Sequence, residues 1–166
     1  MICLGIDPGT STANPLGWAL VAQERGALAL HAADCLVPAG RAPLVFLALA
    51  LDALPLWPLD GVAVEGAHVE RNPQSALRLA EVVGVVASFA ARRGVPLLRC
   101  QPVQAKLALA GDARADKPAM MRAARQQFGA ALPKDAADAV GVAVWGLGEL
   151  RERELIVLAG PPRKRA

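Results

Sequence analysis

The 166-residue chain contains little cysteine and no long hydrophobic segment. Cys3, Cys35 and Cys100 are odd in number, far apart and without CxxC spacing, which argues against a disulfide framework and against a zinc site. The longest clean apolar run, 44–51, is too short to span a bilayer, and no basic segment precedes the apolar residues at the N-terminus. We therefore expect a soluble protein of the reducing cytoplasm.

Charged residues are also scarce, at 20% of the chain, whereas hydrophobic residues make up 54%. A chain of this length and composition can bury a core, either as one domain or as one domain with a small appendage. We assign residues 1–158 to that domain and 159–166 to a loose basic tail. The net charge of +3 permits a nucleic-acid partner without requiring one, because the clustering of the basic residues decides that question.

The first apolar strand ends in a carboxylate, Asp7, and runs directly into the tight turn Pro8-Gly9. Asp7 should therefore be anchored and yet open to a ligand. Such an aspartate can hold a divalent metal for phosphodiester cleavage, or lie beneath nucleotide phosphates as in sugar kinases and actin-like ATPases. It can also do no more than accept backbone hydrogen bonds within its own turn.

A second short apolar strand, 62–64, ends in the same way, in Glu65 followed by Gly66. Open α/β sheets bind ligands beyond the carboxyl ends of their strands, so Asp7 and Glu65 are expected to face one crevice. The alternative is an exposed strand-end glutamate without a role.

The remaining pattern predicts an α/β chain that starts with three consecutive antiparallel strands. Asn72 and Pro73 resemble an N-cap and first helical residue, and Gly94 would end that helix. Its middle, which includes Val82, Val83, Gly84 and Val86, is apolar all round, so the helix is buried either in the core or against a partner subunit. The other predicted ranges after the third strand are 42–54, 95–100, 102–109, a helix ending near Gly129, and 134–150.

Asp135 and Asp138 lie three residues apart at the start of the last helix and should share one face. The positive end of the helix dipole explains Asp135 better than Asp138, which we expect to lie deeper among alanine and valine and to need a partner. Basic residues Lys106, Arg114 and Lys117 could line a phosphate path, although solvated surface positions are the commoner case.

Asp7, Glu65, Asp135 and Asp138 form a set of hard oxygen ligands that suits Mg²⁺ or Mn²⁺. Two such ions about 4 Å apart can bind both the attacking and the leaving oxygen of a phosphodiester displacement.

The chain resembles the RuvC-type Holliday junction resolvases of the ribonuclease H-like nuclease superfamily. The resemblance spans most of the chain and rests on motifs that are weak singly but specific in this order: 5–10 (GIDPGT), Val64-Glu65, Asn72 with 75–79 (SALRL), 114–117 (RADK) and 135–139 (DAADA). It implies a ribonuclease H-like five-stranded mixed sheet in the order 3-2-1-4-5, flanked by helices.

The resemblance also implies a homodimer that resolves four-way DNA junctions by paired nicking of opposing strands, with the RuvA–RuvB branch-migration complex as a partner. The four acids would be the catalytic metal ligands, with two Mg²⁺ or Mn²⁺ ions per site. The 73–93 helix would supply the dimer interface through Val82, Val83, Gly84 and Val86. The residues expected to contact DNA are His68, Arg71, Asn72, Ser75, Lys106, Arg114 and Lys117.

Two features depart from the family pattern. The loop Ser11–Leu16 is longer by about three residues, and His68 stands near where relatives often carry an aromatic wedge residue.

Three other functions fit this sequence less well. An actin-like kinase needs a second domain, a nuclease of ribosomal RNA precursors would not require 114–117, and a silent nucleic-acid binder would not need four acids.

Overall fold

The computed structural model describes residues 1–37, 42–54, 58–66 and 73–159, without the side chains of 156–159. Its strands are β1 (Ile2–Asp7), β2 (Leu16–Glu24), β3 (Ala27–Leu36), β4 (Gly61–Glu65) and β5 (Leu97–Cys100). Its helices are α1 (Pro43–Ala53), α2 (Pro73–Arg92), α3 (Pro102–Ala110), α4 (Lys117–Phe128) and α5 (Lys134–Ala159). The predicted N-cap Asn72, the possible wedge His68, Arg71 and the tail 160–166 lie outside the described residues.

The five strands form one mixed sheet in the order β3-β2-β1-β4-β5, which confirms the predicted topology. β2 pairs antiparallel with both β1 and β3, as expected for consecutive strands joined by short connections. β4 is parallel to both β1 and β5. In chain order α1 lies between β3 and β4, and the helical crossover α2 lies between β4 and β5. The carboxyl ends of β1, β4 and β5 therefore meet at one edge of the sheet.

Side chains along the central strands alternate between the two faces of the sheet, and this alternation divides the core into two layers. Leu4 and Ile6 of β1 pack with α1 and α2 on one face, whereas Cys3 packs with α3, α4 and α5 on the other. In β4, Val62 and Val64 belong to the first face and Ala63 to the second. Successive side chains of a strand point to opposite faces, so both strands present their next odd position, the terminal acid, to the α5 side.

α2 is long and apolar enough to cross a bilayer by length and composition alone. In the structure, however, its apolar face packs on the sheet, and Val82, Val83 and Val86 are at most 4% exposed. Three of the four residues predicted for a dimer interface are therefore in the core of the protomer itself, and only Gly84 is exposed. The helix is amphipathic rather than apolar all round, because its polar positions fall on one side.

α5 approaches the sheet unusually closely at β2. A Cβ atom on Gly17 would overlap the backbone carbonyl group of Asp135, so only glycine permits this contact. The helix also continues to Ala159, and the predicted end at Leu150 is wrong. Residues 151–154 (RERE) are exposed and alternate in charge, which favours a solvent-facing helical extension rather than a break.

Candidate active site

Asp7 and Glu65 stand at the same edge of the sheet. Ile6 pairs with Val64 across the parallel β1–β4 ladder, and each acid follows its member of that pair by one residue. Because the strands are parallel and in this register, the two carboxylates reach the α5 side together. Both side chains line a cleft of about 330 Å³. The predicted meeting of these two acids is thus present in the structure.

The first turn of α5 brings the other two acids to the same place. One carboxylate oxygen from each of Asp7, Asp135 and Asp138 lies within 4.8 Å of the others. Glu65 is outside this compact group but lines the cleft with Asp7 and Asp138. The contact at Gly17 sets the arrangement, since Gly17 pairs with Asp7 across β1 and β2 while touching the backbone of Asp135.

The relative burial of Asp135 and Asp138 is the reverse of the prediction. Asp135 is 1% exposed, whereas the Asp138 side chain is 17% exposed and faces the cleft. The reason is the close seating of the first turn of α5 on β2 at Gly17, which buries the residue nearest that contact. Sequence composition around Asp138 could not reveal which of the two residues faces the sheet.

Lys117 supplies the positive charge that the buried acids need. Its Nζ donates a hydrogen bond to Asp135 Oδ1 at 2.9 Å and lies 3.5 Å from Asp138 Oδ2. A second ammonium, that of Lys134, lies 4.0 Å from Asp135 Oδ2. A buried charge is tolerated when it is paired and hydrogen-bonded, and these two lysines provide that pairing.

The position of Lys117 follows from the start of α4. Asp116 caps the helix by accepting a 2.8 Å hydrogen bond from the Ala119 N–H, and Pro118 occupies the first turn. Lys117 is therefore the first helical residue, and its side chain is available to α5. Lys106 of α3 is half-buried and lines the other side of the same cleft.

The acids strongly perturb one another. Burial, and then the charges of Glu65 and Asp138, raise the pKa of Asp7 well above its usual range. Burial also raises the pKa values of Glu65 and Asp138, with Lys117 opposing the rise in both. Desolvation works to lower the pKa of Lys117, but its hydrogen bond to Asp135 and the nearby acids outweigh it, so that pKa is raised.

This donor set fits a divalent metal. Three carboxylates converge and a fourth lines the same cleft. Burial and neighbouring negative charges raise the pKa values of Asp7, Glu65 and Asp138, so a further positive charge would favour their ionised forms. Hard oxygen ligands are those that Mg²⁺ and Mn²⁺ prefer. A metal bound by these four acids would supply Lewis acidity toward a phosphate oxygen and a more acidic water.

The structure places only some of the predicted DNA-contacting residues at the cleft. Lys106 and Lys117 line the cleft, which brings them together with the acids. Arg114 is exposed beside the cleft residue Ala115, and Ser75 lies one helical turn before Leu79, which also lines the cleft. His68, Arg71 and Asn72 lie outside the described residues.

Several residues of the site were not predicted from the sequence. Asn14 lines the cleft, Lys134 pairs with Asp135, and Leu79 and Met120 form apolar walls. The expected extra length of the Ser11–Leu16 loop was a signal for Asn14, since that loop follows β1 shortly after Asp7. Leu79 was marked only as the end of the 75–79 motif, and no sequence signal marks Met120, because apolar residues on helices are equally common in any core.

Comparison with known proteins identifies the family. The model of the family "Crossover junction endodeoxyribonuclease RuvC" matches residues 3–145. The chain is 38% identical to the RuvC of Anaeromyxobacter dehalogenans strain 2CP-1 over 150 residues, which covers 87% of this chain and 79% of the relative. It is 37% identical to the RuvC of Chloroflexus aggregans, with 87% and 91% of the two chains covered.

Solved structures lead to the same family. The chain superposes on the Thermus thermophilus RuvC structure with a TM-score of 0.76 at 27% identity, over 92% of this chain and 97% of that one. It superposes on T. thermophilus RuvC in complex with a Holliday junction substrate with a TM-score of 0.78 at 26% identity, covering 92% and 96%. Together with the four acids at one sheet edge, these matches show that the chain belongs to the RuvC family of crossover junction endodeoxyribonucleases.

Proposed function

We propose that this protein is a structure-selective endonuclease that resolves four-way DNA junctions by paired nicking of opposing strands, in recombination and repair. The observation that carries the proposal is the convergence of Asp7, Glu65, Asp135 and Asp138 on one cleft, in a chain of the RuvC family. A relative of the same fold, T. thermophilus RuvC, has a solved structure in complex with a Holliday junction substrate.

The four acids are proposed to hold two Mg²⁺ or Mn²⁺ ions per site. One or two divalent ions fit the charge of the cluster better than the lysines alone, because three of the acids have raised pKa values despite Lys117. Lys106 and Lys117 stand at the cleft wall, where their ammonium groups can contact DNA phosphates and orient the strand to be cut. Asp135, almost fully buried, holds Lys117 in this place.

Cutting two opposing strands calls for two sites, so we propose a homodimer. The surface of α2 that faces away from the sheet supports this proposal. Leu77 is 66% exposed there, and Gly84 has open space around its Cα. With Ala80 these residues line a shallow groove of about 640 Å³. An exposed apolar strip on a core helix is typical of a protein–protein contact.

The cellular setting follows from the family. We propose that the protein acts in the bacterial cytoplasm, where the chromosome lies, because its curated relatives are bacterial. The RuvA–RuvB branch-migration complex is proposed as its partner on the resemblance to the RuvC family alone.

A cleavage assay with matched substrates tests the function. The protein is incubated with a labelled synthetic four-way junction, a linear duplex of the same sequence, and a structured RNA, each with Mg²⁺, with Mn²⁺ or with EDTA. We expect symmetric nicks in two opposing strands of the junction, only with metal, and products that a ligase can seal. Asp7→Asn should leave junction binding in place and abolish cutting.

Three results would overturn the proposal. Equal cutting of the junction and the linear duplex would remove structure selectivity, and preferential cutting of the RNA would assign the site to another substrate. Unchanged cutting by Asp7→Asn would show that the acidic cleft is not the active site.

A further inference from the structure

The loop between β1 and β2 places one uncharged polar side chain in the catalytic cleft. Asn14 is exposed and lines the cleft with Asp7, Glu65 and Asp138. The structure shows no hydrogen bond to its carboxamide from any described residue. The side chain therefore reaches the cleft with both its donors and its acceptor available.

The loop that carries Asn14 is held in place from three sides. The Asn14 N–H donates to the Ser11 carbonyl at 3.2 Å, and the Ser11 N–H donates to the Asn14 carbonyl at 3.1 Å. A Cβ on Gly9 would overlap the carbonyl oxygens of Asn14 and Pro15, so the backbone is packed to contact there. The chain thus builds a compact turn rather than a loose connection.

The third support ties the loop to the acidic cluster. Lys134 Nζ donates a 3.2 Å hydrogen bond to the Ala13 carbonyl, next to Asn14 in the chain, and also lies 4.0 Å from Asp135 Oδ2. The first turn of α5 therefore positions both Asp135 and the Asn14 loop. A side chain held in register with the catalytic acids can act on the same phosphodiester as they do.

We propose that Asn14 is a substrate-positioning residue whose carboxamide NH₂ donates a hydrogen bond to a phosphate oxygen of the DNA strand in the catalytic cleft. This inference rests on the proposed nuclease function. The amide suits this place because it offers two donors without adding charge. A carboxylate here would add to a cluster that already repels phosphate, and a lysine would pair with the acids as Lys117 does.

The variants Asn14→Ala and Asn14→Asp separate a donor role from a turn role. Asn and Asp serve equally well in a short turn of this kind, and they have the same shape, but Asp lacks the NH₂ donors and carries a negative charge. Loss of a hydrogen bond to a charged group should slow single-turnover cleavage by Asn14→Ala about tenfold at saturating junction. Asn14→Asp should be slower still, by roughly 100-fold, because repulsion is added.

Controls separate this inference from the proposed function. Thr12→Ala changes an exposed neighbour in the same loop that does not line the cleft, and should cleave at the wild-type rate. Thermal melts should show all three variants folded, since both positions are exposed. Equal cleavage rates for wild type and Asn14→Asp would overturn the inference while leaving the proposed nuclease function intact. A reduced cleavage rate in Asn14→Ala that Asn14→Asp restores to the wild-type value would overturn it as well. Absence of junction cutting by the wild type itself would instead refute the proposed function.

Discussion

At the scale of single residues, burial and neighbouring charges disfavour the ionised forms of three of the four acids, a cost that a bound cation would relieve. The raised pKa values of Asp7, Glu65 and Asp138 mean that the folded protein holds protons on these groups more tightly than the unfolded chain does. The contribution of these three groups to metal-free stability is therefore greatest at low pH, where they are protonated, and is lost as the pH rises through their folded-state pKa values. Lys117 reduces this cost without removing it.

Asp7→Asn should stabilise the metal-free protein. The substitution keeps the shape of the side chain and removes one buried charge, so at pH 8 in EDTA we expect the melting temperature to rise by about 2–5 °C, equivalent to roughly 1–2 kcal/mol. The fall in stability with rising pH should also become shallower, because one titrating group is gone. The measurements are thermal and denaturant unfolding in EDTA between pH 5 and 9.

Added Mg²⁺ should have the opposite effect on the two proteins, because it should stabilise wild type more than Asp7→Asn. A ligand that binds only the folded state raises its stability, so wild type should melt at a higher temperature with Mg²⁺, whereas Asp7→Asn should respond weakly. Glu152→Gln, which removes an exposed acid of α5, serves as the control and should behave as wild type in both experiments. A pH dependence of stability identical in wild type and Asp7→Asn would contradict this account of the cluster.

At the scale of elements, the contact between α5 and β2 positions the two acids of α5 beside Asp7. The backbone of Asp135 lies where a Cβ of Gly17 would be, and Gly17 is the β-sheet partner of Asp7. Any side chain at position 17 must therefore push the first turn of α5 away from the strand that carries Asp7.

Gly17→Ala should damage both stability and cutting. Overpacking of this kind costs about 1–3 kcal/mol, and a displacement of about 1 Å in Asp135 and Asp138 should reduce cleavage about 100-fold. Gly148→Ala is the matched control on α5, because its Cβ would meet nothing within 4 Å and alanine favours a helix by up to about 1 kcal/mol. The two variants should thus shift the melting temperature in opposite directions. Wild-type cleavage by Gly17→Ala would show that α5 can move without harm to the site.

How far the sequence could predict these elements depends on the kind of pattern involved. The position of each acid at the carboxyl end of a short apolar strand predicted that Asp7 and Glu65 face one crevice, because open α/β sheets bind ligands beyond those ends. The relative depth of Asp135 and Asp138 was not predictable in the same way, since it depends on how α5 is rotated against Gly17. The interface assigned to Val82, Val83 and Val86 was misplaced for a related reason: apolar composition does not say which face meets the sheet.

At the scale of the whole molecule, an exposed strip on α2 suits the proposed contact with a second copy. Leu77, Ala80 and Gly84 are exposed on one side of the helix, while its valines are used in the core. Small residues on such a strip allow two helices to approach closely.

Gly84→Arg should therefore turn a dimer into a monomer without unfolding it. The Cβ of residue 84 would meet nothing within the protomer, so the fold tolerates the arginine, whereas a partner helix does not. Light scattering should show the change in mass, with Gln126→Arg on the exposed side of α4 as a control for added charge. A Gly84→Arg protein that remains dimeric would move the interface away from this part of α2.

The order of the acids along the chain has a consequence for protein synthesis. Asp7 and Glu65 are made early, but Asp135 and Asp138 belong to α5, the last helix in chain order among those described. Domains emerge from the ribosome N-terminus first, so a growing chain can assemble much of its sheet while half of its proposed metal ligands are still missing. A product interrupted before Asp135 would therefore lack two of the four acids, and the capacity to break DNA would arrive only once α5 has been made.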